Sequence, residues 1–349
     1  MNDAKWYADA GTDESPIISS RIRLARNIKK YPFGIKLDDA NAKAMVQEAV
    51  STILNDRTHL SEFFTFVDLT EKTANEARAM LERHIISTEL MESQKYRGLL
   101  LQADESVNIM LNEEDHIRIQ SIRPGADIAG ALENANRIDD LMEETVEFAF
   151  DKEFGYLTSC PTNAGTGMRS SFMVHLPLLE KTEQLRNLLQ ALGKFGMTVR
   201  GLYGEGTESQ GSIYQISNQI TLGKNEEEII SGLENVTKQI VEKEQYLWEK
   251  AKSMETMELP DTVYRSFGIL CNCRRLSLKE AMHLLSNVRI GYGTGILQAA
   301  RPGMTIYQIM MAVQPGNLQM HLRKELPEKE LEIQRAEYIR GIFGPLNMN

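Results

Sequence analysis

Residues 107–122 read Val-Asn-Ile-Met-Leu-Asn-Glu-Glu-Asp-His-Ile-Arg-Ile-Gln-Ser-Ile. Two apolar runs, Val107–Leu111 and Ile117–Ile122, flank an acidic corner, Asn112-Glu113-Glu114-Asp115-His116. Apolar runs of this length broken by a short polar string predict antiparallel strands turning through a charged corner. Upstream, Gly98–Gln102 is another apolar run. Ile18–Asn27 alternates, with Ile22 and Leu24 on one face and Arg21 and Arg23 on the other, which predicts a strand presenting basic side chains. Downstream, Asp127 starts a helix whose Ile128, Leu132, Ala135, Ile138, Met142 and Val146 form one apolar stripe. Helices are also expected over Asp38–Leu54, Lys72–Glu82 and Thr182–Leu192. Strands are expected over Met173–Leu176, Met197–Leu202 and Ile213–Ile220.

A long helix follows from Asn225, and Glu258-Leu259-Pro260-Asp261 breaks it. The remainder reads as helical over Leu278–Val288, Thr305–Val313 and Glu328–Ile342. The expected architecture is α+β: an antiparallel sheet flanked by helices over residues 1–257, then a smaller all-helical domain over 258–349. The length of 349 residues suits two domains. The 39 Lys+Arg against 49 Asp+Glu give a formal charge of −10, which disfavours broad nucleic-acid or anionic-membrane binding. No run reaches the ~20 apolar residues of a membrane helix, and the N-terminus lacks a secretion signal. Three cysteines cannot build a disulfide framework, and reduced thiols suit the cytoplasm.

Chemistry concentrates in a few places. Arg21, Arg23, Arg118, Arg169 and Arg200 offer planar forks suited to phosphate oxygens, and their convergence would hold a triphosphate without a P-loop; scattered surface salt bridges are the plainer alternative. Glu113, Glu114 and Asp115 are consecutive, and Glu205 lies between glycines. Two carboxylates can clamp a guanidinium or take its proton, though an acidic run is also an ordinary solvated corner. Cys160 opens the loop Cys160-Pro161-Thr162-Asn163-Ala164-Gly165-Thr166-Gly167-Met168-Arg169 and is either a reactive thiol or an inert one. Cys271-x-Cys273 lacks a second pair at zinc spacing, so both are expected in the core. No Walker or dinucleotide-binding glycine pattern occurs.

Ser19-Ser20-Arg21-Ile22-Arg23, Asn112-Glu113-Glu114-Asp115-His116-Ile117-Arg118, the Cys160–Arg169 loop and Arg200-Gly201-Leu202-Tyr203-Gly204-Glu205 closely resemble, in order, the motifs of the phosphagen (guanidino) kinase family. Arg274-Arg275-Leu276-Ser277-Leu278-Lys279-Glu280-Ala281 and Leu284–Arg289 resemble its bacterial protein-arginine kinase branch. That resemblance implies that the helical N-terminal domain of the metabolic members is absent and a helical C-terminal domain takes its place. It implies an ATP site lined by Ser19, Ser20, Arg21, Ile22, Arg23, His84, Arg118, Arg169, Ser170, Ser171, Phe172, Met173, Arg200, Gly201, Leu202, Tyr203 and Gly204, with Mg²⁺ accompanying ATP and no protein metal site. It implies that Glu114 and Glu205 align the acceptor guanidinium and take its proton, and that Cys160 lies beside it.

The same resemblance implies protein substrates with exposed arginines, an McsA-like activator, a CtsR-like stress repressor, a Clp chaperone and a homodimer. Near the C-terminus, the branch's Arg-Asp-x-x-Arg-Ala element, tied to phosphoarginine recognition, corresponds to Leu331-Glu332-Ile333-Gln334-Arg335-Ala336. A leucine cannot hold a phosphate, so that regulatory site does not carry over with the motif. A kinase for a free guanidino compound and a non-catalytic phosphoarginine or chaperone adaptor are the alternative readings.

Overall fold

The computed structural model describes residues 5–8, 13–55, 59–182, 185, 188, 192–193, 196–202, 209–253 and 257–344. The strands are β1 (Ile17–Arg26), β2 (Phe64–Asp68), β3 (Gly98–Gln102), β4 (Val107–Leu111), β5 (Ile117–Pro124), β6 (Phe150–Asp151), β7 (Gly155–Tyr156), β8 (Met168–His175), β9 (Met197–Gly201) and β10 (Ile213–Asn218). Eight of them form one sheet in the order β2-β3-β4-β5-β1-β8-β10-β9, and β6 pairs with β7. β2/β3, β3/β4 and β4/β5 are antiparallel, with Met110 opposite Arg118 across the acidic corner.

The described helices are α1 (Asp39–Ile53), α2 (Ala74–Glu82), α3 (Thr88–Glu92), α4 (Ile128–Glu143), α5 (Pro177–Glu180), α6 (Glu226–Ser253), α7 (Glu258–Asn272), α8 (Leu278–Thr294), α9 (Ile306–Ala312), α10 (Pro315–Leu322) and α11 (Glu328–Phe343). Several expected elements shift. Asp38 caps α1 through Asn41 N instead of joining it, and Thr73 and Glu76 make a capping box that starts α2 two residues late. Pro260 does not break a helix. It sits in the first turn of α7, where its missing N–H is no loss. β8 begins at Met168, five residues before the expected Met173, inside the glycine-rich stretch thought irregular. The helix expected over Thr182–Leu192 falls largely outside the described residues.

The chain divides into two compact units: Met1–Trp6, Ser20–Ser171 and Ser217–Glu234; then Tyr7–Ser19, Phe172–Ile216 and Asn235–Asn349. In the first, Leu69, Ile85, Ile86, Leu90, Leu99 and Met110 form a core cluster. Arg26 is fully buried, paired with Asp139 of α4 at 2.6 Å and lying 3.5 Å over the Tyr156 ring. A buried pair of this kind is costly to break from one side. In the second unit, α8 packs on α7 and α9, and α11 on α7. Arg289 approaches Asp13 at 3.5 Å, and His175 hydrogen-bonds Ser286 at 2.8 Å. Cys271 is buried as expected, but Cys273, which caps α7, is half-buried.

Candidate active site

The acidic corner is built by the residues on either side of its two glutamates. Asn112 turns with φ +61°, and its amide donates to Tyr96 O at 2.6 Å. Asp115 is buried and accepts from Asn27 Nδ2 at 2.7 Å and from Ser159 N at 2.6 Å, so one carboxylate ties β1's end to the Cys160 loop. His116 accepts from Ile28 N through Nδ1 at 3.0 Å and meets Pro32 O through Nε2 at 3.1 Å, which fixes a neutral tautomer. With both inward positions spent on anchoring, the corner fixes the backbone that presents Glu113 and Glu114.

The two glutamates have different environments. The Glu113 side chain is fully enclosed, takes Arg118 Nη1 at 2.5 Å and accepts from Ser87 Oγ. Glu114 is 40% exposed, lies 3.7 Å from Arg118 Nη2, and receives hydrogen bonds from the Cys160 side chain and, at 3.5 Å, Asn163 Nδ2. Desolvation raises the Glu114 carboxyl above the usual carboxylate range, and Arg118 offsets part of that. Cys160 Sγ is 3.0 Å from Thr162 Oγ1.

Beside this corner the arginines converge. β5, β1 and β8 are neighbours in the sheet, so Arg118, Arg21 with Arg23, and Arg169 come from three adjacent strands. Burial, followed by the charges of Arg21, Arg118 and Arg169, drives the Arg23 guanidinium well below its usual range. Its buried Nε has no hydrogen-bond partner among the described residues. Arg21 Nε reaches Ser171 Oγ at 3.4 Å, and Arg169 Nη2 donates to Ser217 Oγ at 3.2 Å. Desolvation and Arg21 push the His84 imidazole down to about 3, so it stands neutral under the cluster, its carbonyl held by Gln120. Three arginines around a fourth whose buried Nε is unsatisfied make a concentration of positive charge that suits a multiply charged anion. Among the described residues no group of three His, Cys, Asp or Glu could hold a metal ion.

The other expected residues are placed as follows. Ser20 Oγ links Gly125 O and Asp127 N, and Ser170 bonds Asn218, so both hold backbone. Ile22 is fully buried. Ser19, Phe172 and Met173 are buried within the second unit, where Arg200 is exposed on β9. Leu202 N donates to Ile213 O and Gln210 N to Leu202 O. Tyr203, Gly204 and Glu205 lie outside the described residues. The sequence reading names Glu113 and Asp115 among the candidate carboxylates and His116 within the motif, but gives a site role only to Glu114; the part the other three play in holding the corner is not legible there.

A corner carboxylate beside a cluster of arginines is the arrangement that a guanidino phosphotransferase needs. The sequence model for "ATP:guanido phosphotransferase, C-terminal catalytic domain" matches residues 45–247, and that for "Protein-arginine kinase McsB C-terminal domain" matches 256–349. The chain is 44% identical over 327 residues (94% of it, 96% of the relative) to a protein-arginine kinase of Caldanaerobacter subterraneus subsp. tengcongensis. It is 41% identical over 337 residues (97% and 92%) to that of Bacillus subtilis strain 168. Among solved structures it resembles lombricine kinase, with TM-score 0.59, 25% identity and 73% and 72% coverage. It also shares the fold of the duplicated taurocyamine kinase from Schistosoma mansoni with bound transition state analog components, at TM-score 0.60, 22% identity and 76% and 38% coverage. The chain belongs to the protein-arginine kinase family.

Proposed function

We propose that the chain transfers the γ-phosphoryl group of ATP to arginine guanidinium groups of proteins. The observation that carries this is Arg23: a half-buried arginine whose Nε is buried and unsatisfied, pressed by three further arginines, one of which, Arg118, lies 3.7 Å from the partly exposed Glu114. Arg21, Arg23, Arg118 and Arg169 take the phosphate oxygens, joined in this reading by Arg200. Mg²⁺ would come carried on the phosphates and would neutralise charge there, since Mg²⁺ keeps several waters and needs few protein ligands.

In the transfer, the bond from Pγ to its bridging oxygen breaks as an N–P bond forms in line, and ADP leaves with the electron pair. A guanidinium has a pKa above ~12 and is a poor nucleophile until it sheds a proton. Glu114 accepts that proton, its raised carboxyl making it a better base than an ordinary glutamate; Glu205 shares the alignment of the acceptor. Cys160, hydrogen-bonded to Glu114, orients that carboxylate and contacts the guanidinium.

The family resemblance supports the rest: a catalytic domain over 1–257 and a helical domain over 258–349, a homodimer, a cytoplasmic site of action, and work with an McsA-like activator, a CtsR-like repressor and a Clp chaperone that consumes the marked proteins. No described helix is long and apolar enough to cross a membrane. Incubation with an unfolded protein and labelled ATP is expected to yield acid-labile, arginine-linked phosphate. Glu114→Ala should lower kcat by at least about 10²-fold with folding intact. Unchanged labelling in that variant overturns the assignment.

A further inference from the structure

A cavity of 1030 Å³ opens beside Glu114 in the first unit, between the Tyr31–Lys36 segment, Glu89 of α3 with the following Ser93–Lys95, and the Thr158–Ser159 segment. Glu113 and Glu114 form part of its wall. Pockets of about 300–1,000 Å³ hold whole drug-sized ligands, so this space exceeds what one guanidinium at Glu114 requires. The mechanism above leaves the rest unassigned.

One wall is Tyr31-Pro32-Phe33, three consecutive cyclic side chains held rigidly. Phe33 and Tyr31 meet the His116 ring edge-on at 5.7 and 6.2 Å, and Tyr31 Oη donates to Glu48 at 2.8 Å. Lys95 Nζ donates to Gly34 O at 2.7 Å, fastening the same segment from the opposite wall. Charge does not choose an occupant: Lys36 and Lys95 face Glu89, Glu113 and Glu114, and Glu113 is already paired with Arg118, which leaves two charges of each sign. The preset apolar wall does, since an aromatic surface already locked in place takes an apolar group with little ordering cost. An acceptor arginine arriving on a polypeptide brings neighbours only ~3.3 Å per residue away along the chain.

We propose that this cavity is a recognition subsite for the residue adjoining the acceptor arginine, and that it selects an apolar or aromatic side chain through Phe33. This rests on the kinase reading of Glu114 and deepens it from a guanidinium site to a peptide site. It also explains why a free guanidino compound is a poorer fit: it would leave the aromatic wall bare.

The test uses the full chain, saturating ATP and synthetic peptides Gly-Gly-X-Arg-Gly-Gly and Gly-Gly-Arg-X-Gly-Gly, with X as Phe, Ala or Asp. Phe is expected to exceed Ala in kcat/KM by about tenfold or more on one side of the arginine, expressed in KM, the scale of a filled apolar pocket. Phe33→Ala should collapse that ratio. A ratio measured within one variant is independent of how much of it folds, and the milder Phe33→Leu should give an intermediate value. Ratios under twofold on both sides, a preference for Asp, or a Phe preference that survives Phe33→Ala would each sink the subsite. Phosphorylation of none of the peptides by the unaltered chain would instead sink the kinase reading, and the subsite with it.

Discussion

In the proposed reading, Arg23 sets what the anion must be. Its guanidinium is desolvated, its Nε has no partner among the described residues, and its nearest formal charges are three arginines opposed by Glu113. A monovalent anion would leave most of that repulsion standing, whereas a triphosphate offsets several charges at once. Arg23→Ala should therefore weaken ATP binding by about ten- to a hundredfold, the worth of one charge-assisted hydrogen bond or two. Arg23→Lys should recover only part of it, because an ammonium lacks the fork. Calorimetric titration of each variant with Mg·ATP decides this, and an unaltered Kd in Arg23→Ala would remove the arginine cluster from the nucleotide site. The same neighbourhood shows what adjacency in sequence hides. Glu113 and Glu114 are one residue apart, yet one is enclosed against Arg118 and the other faces outward. Nothing in Asn112-Glu113-Glu114-Asp115-His116 says which is which. The positive φ of Asn112 and the buried anchors of Asp115 and His116 decide it, and those depend on Asn27, Ile28, Pro32 and Ser159, far off in the chain.

At the scale of elements, the active loops are held by close approaches that tolerate no side chain and by one histidine that tolerates no proton. Gly165 sits at φ +103°, and a Cβ there would come within 2.6 Å of Thr221 O. Thr221 Oγ1 in turn holds Thr162 O and Ala164 O, so the loop bearing Cys160 is pinched from both sides. Gly165→Ala should cost on the order of 1–3 kcal/mol of stability and lower kcat by displacing Cys160 and Asn163, read from Tm and from turnover. A variant with both unchanged would show that the loop does not position the thiol. His116 gives the acid response. Burial lowers its pKa below the ordinary 6.5, and Nδ1 is already an acceptor. The unfolded chain then binds a proton that the fold refuses, so stability is lost as pH falls from about 6.5 toward the lower folded value. His116→Gln should flatten that limb by up to about 1.4 kcal/mol per pH unit relative to the unaltered chain, with denaturation measured from pH 7 to 4.5. Elements with a long, one-sided burial pattern were legible in sequence. α4 carries its stripe over Ile128–Met142, and β1 keeps Ile22 and Leu24 buried between half-buried Arg21 and Arg23. Elements without such a pattern were not. β2 buries only Phe64 fully, and α3 and α10 are five and eight residues, too short for a period to emerge.

Over the whole molecule, convergence of the arginines was the part of the site least visible beforehand, and its cause is topological. Three motifs scattered over about 150 residues meet because β5, β1 and β8 lie side by side, an order that pairing along the chain does not suggest. The global charge makes that local grouping necessary. A chain of formal charge −10 repels ATP at long range, so under the proposed reading nucleotide capture would depend on the cluster, while proteins rich in exposed arginine would be attracted from a distance. The two substrates should then respond differently to salt. At saturating ATP, raising ionic strength from about 50 to 300 mM shortens the screening length from over 10 Å to about 6 Å and should raise KM for a basic substrate protein severalfold, with kcat nearly constant. For an acidic protein with comparable exposed arginines, the same change should leave KM level or lower it, because screening there removes repulsion. Steady-state titrations of both substrates at two salt concentrations separate the cases. An equal rise in KM for both would mean that the net charge plays no part in substrate encounter and that recognition is confined to the corner around Glu114.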